Sequence, residues 1–269
     1  MAIQPISNAE FAQFQRFIFE SAGITMGDAK KALISGRLGK RVTAHGLERY
    51  GDYFALLRSG QHPDEVQMAV DLLTTNETYF FRESKHFDLL RSQAQQASQQ
   101  ARSFRFWSAA SSSGEEAYSA AMVLAESMPT TPWDILGTDI SARVLESARR
   151  GLYPLERGRH IPPAYLQRYC RKGAGHYDGF FLVDRALRSR VVFRQVNLNA
   201  PLPELGKFDV VFLRNVLIYF NLETKRAVVA RVLANLKPGG YFCIGHSESL
   251  NDVNTSVHMV APATYRKIG

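Results

Sequence analysis

Residues 104–118 read FRFWSAASSSGEEAY. Phe104, Phe106 and Trp107 supply the bulk that favours a buried strand. Ala109 to Gly114 are all small, so a ligand could approach the backbone closely. Ser112 and Ser113 each have a Glu three residues on, Glu115 and Glu116, which is the spacing of a helix capping box. Strand, tight small-residue loop and acidic helix start together predict the nucleotide-binding corner of a doubly wound α/β sheet. An ordinary capped helix after a strand would carry the same letters, so the rest of the chain must separate the two.

On the N-terminal side, residues 1–73 read as all-helical. Ser7 and Glu10 have capping-box spacing, and Phe11, Phe14 and Ile18 follow at helical intervals up to Gly23, the stop. Asp28 is placed to cap the next helix, where Ile34, Leu38 and Val42 form one face. Lys30, Arg37 and Arg41, with Lys40 close by, fall on a neighbouring face. That stripe is either a solvated surface or a docking face for an acidic helix. Short helices are expected at Tyr53–Arg58 and Pro63–Leu73, which completes a small four-helix domain over 1–75. The segment TTNETYFFRE (74–83) is poor mid-helix material, because its Thr and Asn side chains compete for backbone hydrogen bonds. Tyr79, Phe80 and Phe81 make it an aromatic wedge beside Arg82, suited to an active-site edge or to a packed linker. A helix then runs from about Lys85 to Ala101.

On the C-terminal side the α/β rhythm continues. Glu115–Ser127 is a helix, and Trp133–Asp139 is the second strand, closed by an acid. An acid at the end of the second strand is placed to hold ribose hydroxyls, or to cap the helix Ser141–Arg150, with Ser141 as the rival cap. Gly151–Arg190, rich in Pro, Gly and Arg, breaks the pattern and predicts an inserted small β-subdomain at about 157–190. Val191–Gln195, the nearly continuous apolar run Phe208–Leu213 and Tyr241–Gly245 are further strands, the second typical of a buried parallel sheet. A helix covers roughly Leu222–Leu236, Lys237-Pro-Gly-Gly240 is its stop signal, and Thr264–Ile268 closes the sheet.

Composition narrows the class. The 269 residues are 45% hydrophobic, enough for a substantial core, and carry a net charge of +8. Residues 1–73 balance eight Lys/Arg against eight Asp/Glu, whereas 143–194 hold twelve against four, so the whole excess lies in the insertion and its flanks. Such a patch suits an acidic partner. The two cysteines, Cys170 and Cys243, lie far apart in sequence. That spacing argues against a disulfide framework or a thiolate metal site, and predicts buried thiols. No signal peptide and no long apolar run are evident, so a cytoplasmic protein that is not membrane-embedded is expected.

Six motifs in register, TTNETYFFRE (74–83), WSAASSSGEEAYS (107–119), GTDIS (137–141), RNVLIYF (214–220), LKPGGYF (236–242) and GHSES (245–249), resemble the chemotaxis receptor methyltransferases of the CheR type. The likeness spans essentially the whole chain. It implies a Rossmann-like methyltransferase domain over 76–269. It also implies transfer of a methyl group from S-adenosylmethionine to receptor glutamates, with S-adenosylhomocysteine as product. At matching positions it points to Asn76, Thr78, Arg82, Glu116, Asp139, Asn197, Leu198, Asn215 and Val216 at the cofactor. Arg82 and Tyr219 fall at the reacting carboxylate and methyl. Ser111 and Ala117 depart from the family's usual Cys or Ala and Pro, without disturbing this reading.

The expected partner is the cytoplasmic region of a chemoreceptor, met by a monomer, with Lys30, Arg37, Lys40 and Arg41 guiding docking. Some members also bind a short acidic–aromatic peptide at the receptor's C-terminus. The glycine-bearing turn 172–179 resembles theirs, which would make Arg168, Arg171, Lys172, Arg185, Arg188 and Arg190 the tether's cations. The residue chemistry agrees with methyl esterification. An acceptor glutamate, with a reference pKa near ~4.3, is already ionised at neutral pH. No general base is needed, only an in-line approach of roughly 3–3.5 Å. No metal is expected. Two rivals remain at this point. One is a nucleic-acid methyltransferase, against which RNVLIYF replaces the Pro-Pro-aromatic motif of base amino-group methylation. The other is a non-catalytic module that binds cofactor and receptor.

Overall fold

The computed structural model describes residues 3–253 and 256–268. They form two compact units, 3–75 with 219–224, and 76–218 with 225–253 and 256–268.

In the helical unit, α1 (Asn8–Ala22), α2 (Lys31–Ala44), α3 (Tyr50–Arg58) and α4 (Pro63–Leu73) follow one another. α1 starts at a complete capping box: the Glu10 N–H donates to Ser7 Oγ, and the Ser7 N–H donates to the Glu10 carboxylate. It ends at Gly23, which takes the left-handed φ of 73° that a side chain resists. Phe14 is fully buried and meets the rings of Tyr50, Tyr53 and Phe54. Ile34, Leu38 and Val42 are likewise buried, as their spacing predicts. Asp28 does not cap α2. A 3-10 turn, Asp28–Lys30, precedes that helix, and Asp28 instead accepts from Gln15 Nε2 at 3.2 Å.

The second unit contains α5 (Lys85–Gln99), β1 (Phe104–Ser108), α6 (Glu115–Ser127), β2 (Trp133–Asp139) and α7 (Ala142–Arg150). After the insertion come β6 (Val191–Gln195), β7 (Phe208–Leu213), α10 (Leu222–Ala234), β8 (Leu236–Ile244), β9 (Val257–Ala261) and β10 (Thr264–Lys267). The seven-stranded sheet has the order β6-β2-β1-β7-β8-β10-β9. The β6–β2, β2–β1, β1–β7 and β7–β8 pairs are parallel, and β10 runs antiparallel to both its neighbours. The order reverses at β1/β7, so the carboxyl ends of those strands flank the switch-point crevice where ligands of open α/β sheets bind. Phe104, Phe106, Trp107, Tyr118, Phe208 and Phe212 are buried around this centre.

The insertion is a three-stranded antiparallel sheet, β3 (Leu152–Pro154), β4 (Cys170–Lys172) and β5 (Phe180–Val183), in the order β3-β5-β4. Two short helices, α8 (Pro163–Tyr169) and α9 (Arg185–Arg188), flank it. Its first strand lies ahead of residue 157. Cys170 and Cys243 are buried and unpaired, and burial pushes both thiols up to about 12.

Three local expectations change. α6 has no capping box: Gly114 occupies the cap position at φ 97°, so Glu115 and Glu116 are its first two residues instead of third-position partners. A Cβ on Gly114 would stand 2.9 Å from Ala148 Cβ and 3.0 Å from Tyr153 Oη, which fixes the residue as glycine. The 237–240 segment belongs to β8. Gly239 takes φ 72° and Gly240 packs against the Asp209 carbonyl, where the pairing with β7 is irregular. The edge strand β9 carries almost no buried residue, hence no periodic apolar signal to reveal it.

Candidate active site

The small-residue turn is held from below. Trp107 Nε1 donates to Thr138 Oγ1 (2.9 Å), Thr138 Oγ1 donates to the Ala109 carbonyl (3.0 Å), and the Ser111 N–H donates to the Thr138 carbonyl (2.8 Å). Asp139, closing β2, accepts from the Ser112 N–H on one oxygen and the Ser141 N–H on the other, each at 2.9 Å. The cap of α7 is Ser141, whose Oγ accepts from Val144. Asp139 therefore ties the strand end to the turn.

The aromatic segment packs beside it. Phe80 is fully buried against Tyr153 and Phe181, and Phe81 donates its N–H to Ser119 Oγ (3.0 Å). Ser112 Oγ donates to the Asn76 carbonyl (2.9 Å), and Arg157 Nη2 donates to the Thr78 carbonyl (2.9 Å). Arg82 is half-buried over the Tyr79 ring and donates to the Glu77 carbonyl (3.1 Å). Phe81 and Glu83 both take φ 56°, a left-handed conformation costly for such residues.

At the end of β7 lies a group that the motifs alone did not single out. Arg214 is buried, and its guanidinium lies 3.2 Å from Glu83 and 3.2 Å from Glu116 while donating to the Arg82 carbonyl. Ser108 Oγ, at the end of β1, donates to Glu116 (2.7 Å). Burial works to raise the Glu83 carboxyl, but Arg214, the His246 N–H and Asn215 outweigh it and hold it below its ordinary value. At Glu116 burial prevails and raises the carboxyl, against Arg214 and Ser108. A charge directly after a continuous apolar parallel strand is the signal that would have found Arg214.

Asn215 Nδ2 donates to Glu83 (3.3 Å), and Val216 follows half-buried. Asn197 accepts from the Asn199 N–H (2.9 Å), and the buried Leu198 accepts on its carbonyl from Arg231 (2.7 Å). The start of α6, the end of β2 and the loops after β6 and β7 thus carry Glu116, Asp139, Asn197 with Leu198, and Asn215 with Val216, and hydrogen bonds tie Asn76 and Arg82 to the same network. Tyr219 groups with the helical unit, where its carbonyl accepts from the Thr25 N–H (2.8 Å). Glu83, His86 and His246 bring one ligand-type atom each within 4.8 Å of one another. The guanidinium on Glu83 already neutralises that carboxylate and would repel a cation.

The chain matches two family models: "CheR methyltransferase, all-alpha domain" over residues 9–74 and "CheR methyltransferase, SAM binding domain" over residues 76–266. The chain belongs to the CheR methyltransferase family. It is 41% identical over 249 residues to the chemotaxis protein methyltransferase of Escherichia coli (strain K12), covering 91% of this chain and 86% of that protein. The Salmonella typhimurium chemotaxis protein methyltransferase is 38% identical over 255 residues, covering 92% and 86%. Chemotaxis protein methyltransferase 2 of Pseudomonas aeruginosa is 38% identical over 259 residues, covering 95% and 92%. The chain is an S-adenosylmethionine-dependent methyltransferase, and neither rival reading is favoured.

The residues present suit this cofactor. A turn without bulky side chains and an acid at the end of β2 are the chemistry that adenosine binding needs. Among the described residues no helix is long and apolar enough to cross a membrane.

The basic residues divide into committed and exposed. Arg37 donates to the carbonyls of Leu72, Leu73 and Thr74, capping the end of α4, and Arg41 pairs with Glu65. Lys30 and Lys40 are exposed. In the insertion, Arg168 pairs with Glu126, Arg171 with Asp184, and Arg188 donates to the Val183 carbonyl. Arg190 lies over the Trp133 ring, and Lys172 and Arg185 are exposed.

Proposed function

We propose that this CheR-family chain methylates glutamate side chains of membrane chemoreceptors in the cytoplasm, forming methyl esters. The observation that supports it most is the convergence at the β1/β7 switch point of Asp139, Glu116 and Asn215 with the arginine-bearing segment 76–83. S-adenosylmethionine, when bound, supplies an electrophilic sulfonium methyl. Asn76, Thr78, Glu116, Asp139, Asn197, Leu198, Asn215 and Val216 would hold it. Arg82 offers a forked, charge-assisted pair to the acceptor carboxylate, which fixes its approach without moving a proton. Tyr219 is assigned to the reacting methyl from its place in RNVLIYF, where a ring face can favour a cation by about 0.5–2 kcal/mol. The test is transfer of labelled methyl to purified chemoreceptors as a base-labile ester. Label on RNA with none on receptor would overturn the reading.

We further propose that a monomer is tethered by the receptor's C-terminal peptide. β4 is an edge of the three-stranded sheet, open to a strand carrying acidic and aromatic side chains. Arg171 and Lys172 in the strand itself supply exposed charge, with exposed Arg185 next to Asp184, the partner of Arg171. Tethering raises the local concentration of methylation sites to roughly millimolar for a short flexible linker. Titrating a pentapeptide ending in Trp-Glu-Glu-Phe tests this by calorimetry. Absence of heat across receptor tails from the same cell would refute it.

A further inference from the structure

Glu248 lies in the loop after β8 and does not belong to the binding set assigned above. Its carboxylate accepts four backbone N–H groups. Oε2 takes those of Gly245 (2.6 Å) and Asn215 (2.9 Å), and Oε1 takes those of Leu217 (2.7 Å) and Ile218 (3.3 Å). Two loops, one after β7 and one after β8, are therefore stapled by one side chain.

The loop after β7 needs such support. Asn215 takes φ 57°, and Leu217–Tyr219 follow as a 3-10 turn whose first N–H groups have no carbonyl partner within it. Backbone donors in a half-buried turn that lack a partner are costly. The fit is also tight on the other side: a Cβ on Gly245 would stand 2.4 Å from Asn215 Nδ2 and 2.9 Å from both Asn215 N and Glu248 Oε2. Asn215 is thus gripped twice, through its main chain by Glu248 and through its side chain by Glu83. A carboxylate is the right group for the first grip, because it only accepts, with up to four lone-pair directions. A glutamine of the same shape would turn two N–H donors toward backbone donors.

We propose that Glu248 is a positioning residue of the methyltransferase reaction. It sets the backbone of residues 215–218 so that Asn215 and Val216 meet the cofactor, without touching the cofactor itself. The assignment rests on the reading of Asn215 and Val216 as cofactor contacts.

The test compares wild type, Glu248→Gln, Glu248→Asp, Asn215→Ala and the Glu248→Gln/Asn215→Ala pair. Calorimetry with S-adenosylhomocysteine and steady-state kinetics are the readouts. Glu248→Gln should weaken binding about tenfold or more, since it loses acceptors for charge-assisted bonds. It should raise the KM for S-adenosylmethionine more than it lowers kcat. Glu248→Asp, which keeps the charge, should recover part of the loss. In the Asn215→Ala background Glu248→Gln should cost much less, as expected for residues acting through one contact. Full affinity in a folded Glu248→Gln, or strictly additive losses, would overturn the proposal. Amide hydrogen exchange on wild-type protein guards against a variant that does not fold. The Asn215, Leu217 and Ile218 amides should be protected like the adjoining β7 amides, and rapid exchange there would overturn the clamp. If the clamp signature is present but Asn215→Ala binds normally, the cofactor-contact reading fails and the clamp stands as a purely structural one.

Discussion

In the helical unit Arg41 meets one carboxylate, Glu65; in the α/β unit Arg214 meets two, Glu83 and Glu116. Glu65 is also served by the Tyr53 hydroxyl (2.6 Å) and by His45 (3.2 Å), so one negative charge has three partners. Burial works to raise its carboxyl, and these partners outweigh burial and lower it to about 2. Arg214 is deeper and shared. Beside it, His86 is buried with no hydrogen bond on either ring nitrogen, its Nδ1 3.5 Å from Glu83, and Phe81, Glu83 and Asn215 hold left-handed conformations. The first cluster satisfies its charges and pins α2 to α3 and α4. The second leaves polar atoms unsatisfied and backbone strained at the sheet's switch point, where such costs persist because the surroundings enforce them. One arrangement has the form of a structural tie, the other of a constrained candidate site.

Arg214→Ala should produce the largest effect. It leaves Glu83 and Glu116 half-buried together without their buried cation, and breaking a buried pair costs up to about 3–5 kcal/mol. Methyl transfer should fall below detection, whereas Arg214→Lys should recover little, because an ammonium cannot serve both carboxylates and the Arg82 carbonyl with one fork. Glu65→Gln should instead lower the unfolding midpoint and leave the rate per folded molecule unchanged. A catalytic loss in Glu65→Gln comparable to that in Arg214→Ala would erase the distinction between the clusters.

Arg82→Ala and Tyr219→Phe should come next, with turnover reduced about a hundredfold or more and S-adenosylhomocysteine binding within a few-fold of wild type. That split marks interactions made mainly in the transition state. Full turnover with receptor in either variant would remove that residue from the reacting centre. Asp139→Ala should show the opposite pattern, binding weakened about tenfold or more from loss of a charge-assisted hydrogen bond of about 1.5–3 kcal/mol. Because Asp139 also holds the Ser112 and Ser141 N–H groups on its two oxygens, Asp139→Asn would turn an NH2 toward one of those donors, so either variant is read beside a folding control. Unchanged affinity in the folded variants would leave Asp139 with only its turn-holding part.

The two clusters should also separate by pH. Burial first, and Arg214 second, push His86 down to about 4, against the opposing pull of Glu83 and with His246 adding to the fall. The unfolded chain therefore takes up this proton first, and stability declines as pH falls from about 6.5 to about 4. Glu65 has its carboxyl lowered to about 2, so its contribution is present above the ordinary carboxylate range and is lost as pH falls toward 2. Stability curves of His86→Phe and Glu65→Gln should flatten in the higher and the lower window respectively. Flattening in the same window for both would contradict this assignment.

Much of the fold was legible because its signals are local. The β1–turn–α6 corner announces itself by bulk followed by small residues, and the helices by apolar spacing. What escaped depends on partners distant in sequence. Gly114 replaces a serine cap because Ala148 and Tyr153 crowd it from another part of the chain. Arg214 becomes a hub only where β1 and β7 lie side by side and bring Ser108 and Glu116 to it. Arg37 and Arg41 look like a solvated stripe in sequence, yet α4 supplies the carbonyls and the carboxylate that occupy them. Motif resemblance pointed to candidate site residues at once, but which atoms hold which loops could be read only from the folded chain.

The smallest expected effect falls on the exposed end of that basic stripe. With Arg37 and Arg41 committed inside the helical unit, Lys30 and Lys40 are the cations left to steer an acidic methylation helix. Steering between exposed charges is screened over about 8 Å at physiological salt, so its contribution to affinity is modest and its mark is salt dependence. Reversing both to Glu should raise the apparent KM for receptor a few-fold at low salt, with kcat and the unfolding midpoint unchanged. The KM of wild type should rise with salt and that of the variant should rise less, so the two curves converge near molar salt. Reversing Arg41 alone should instead destabilise the protein, since Glu65 would lose its cation. If Lys30→Glu/Lys40→Glu gives the wild-type salt curve, the stripe is a solvated face and the helical unit steers nothing through these charges.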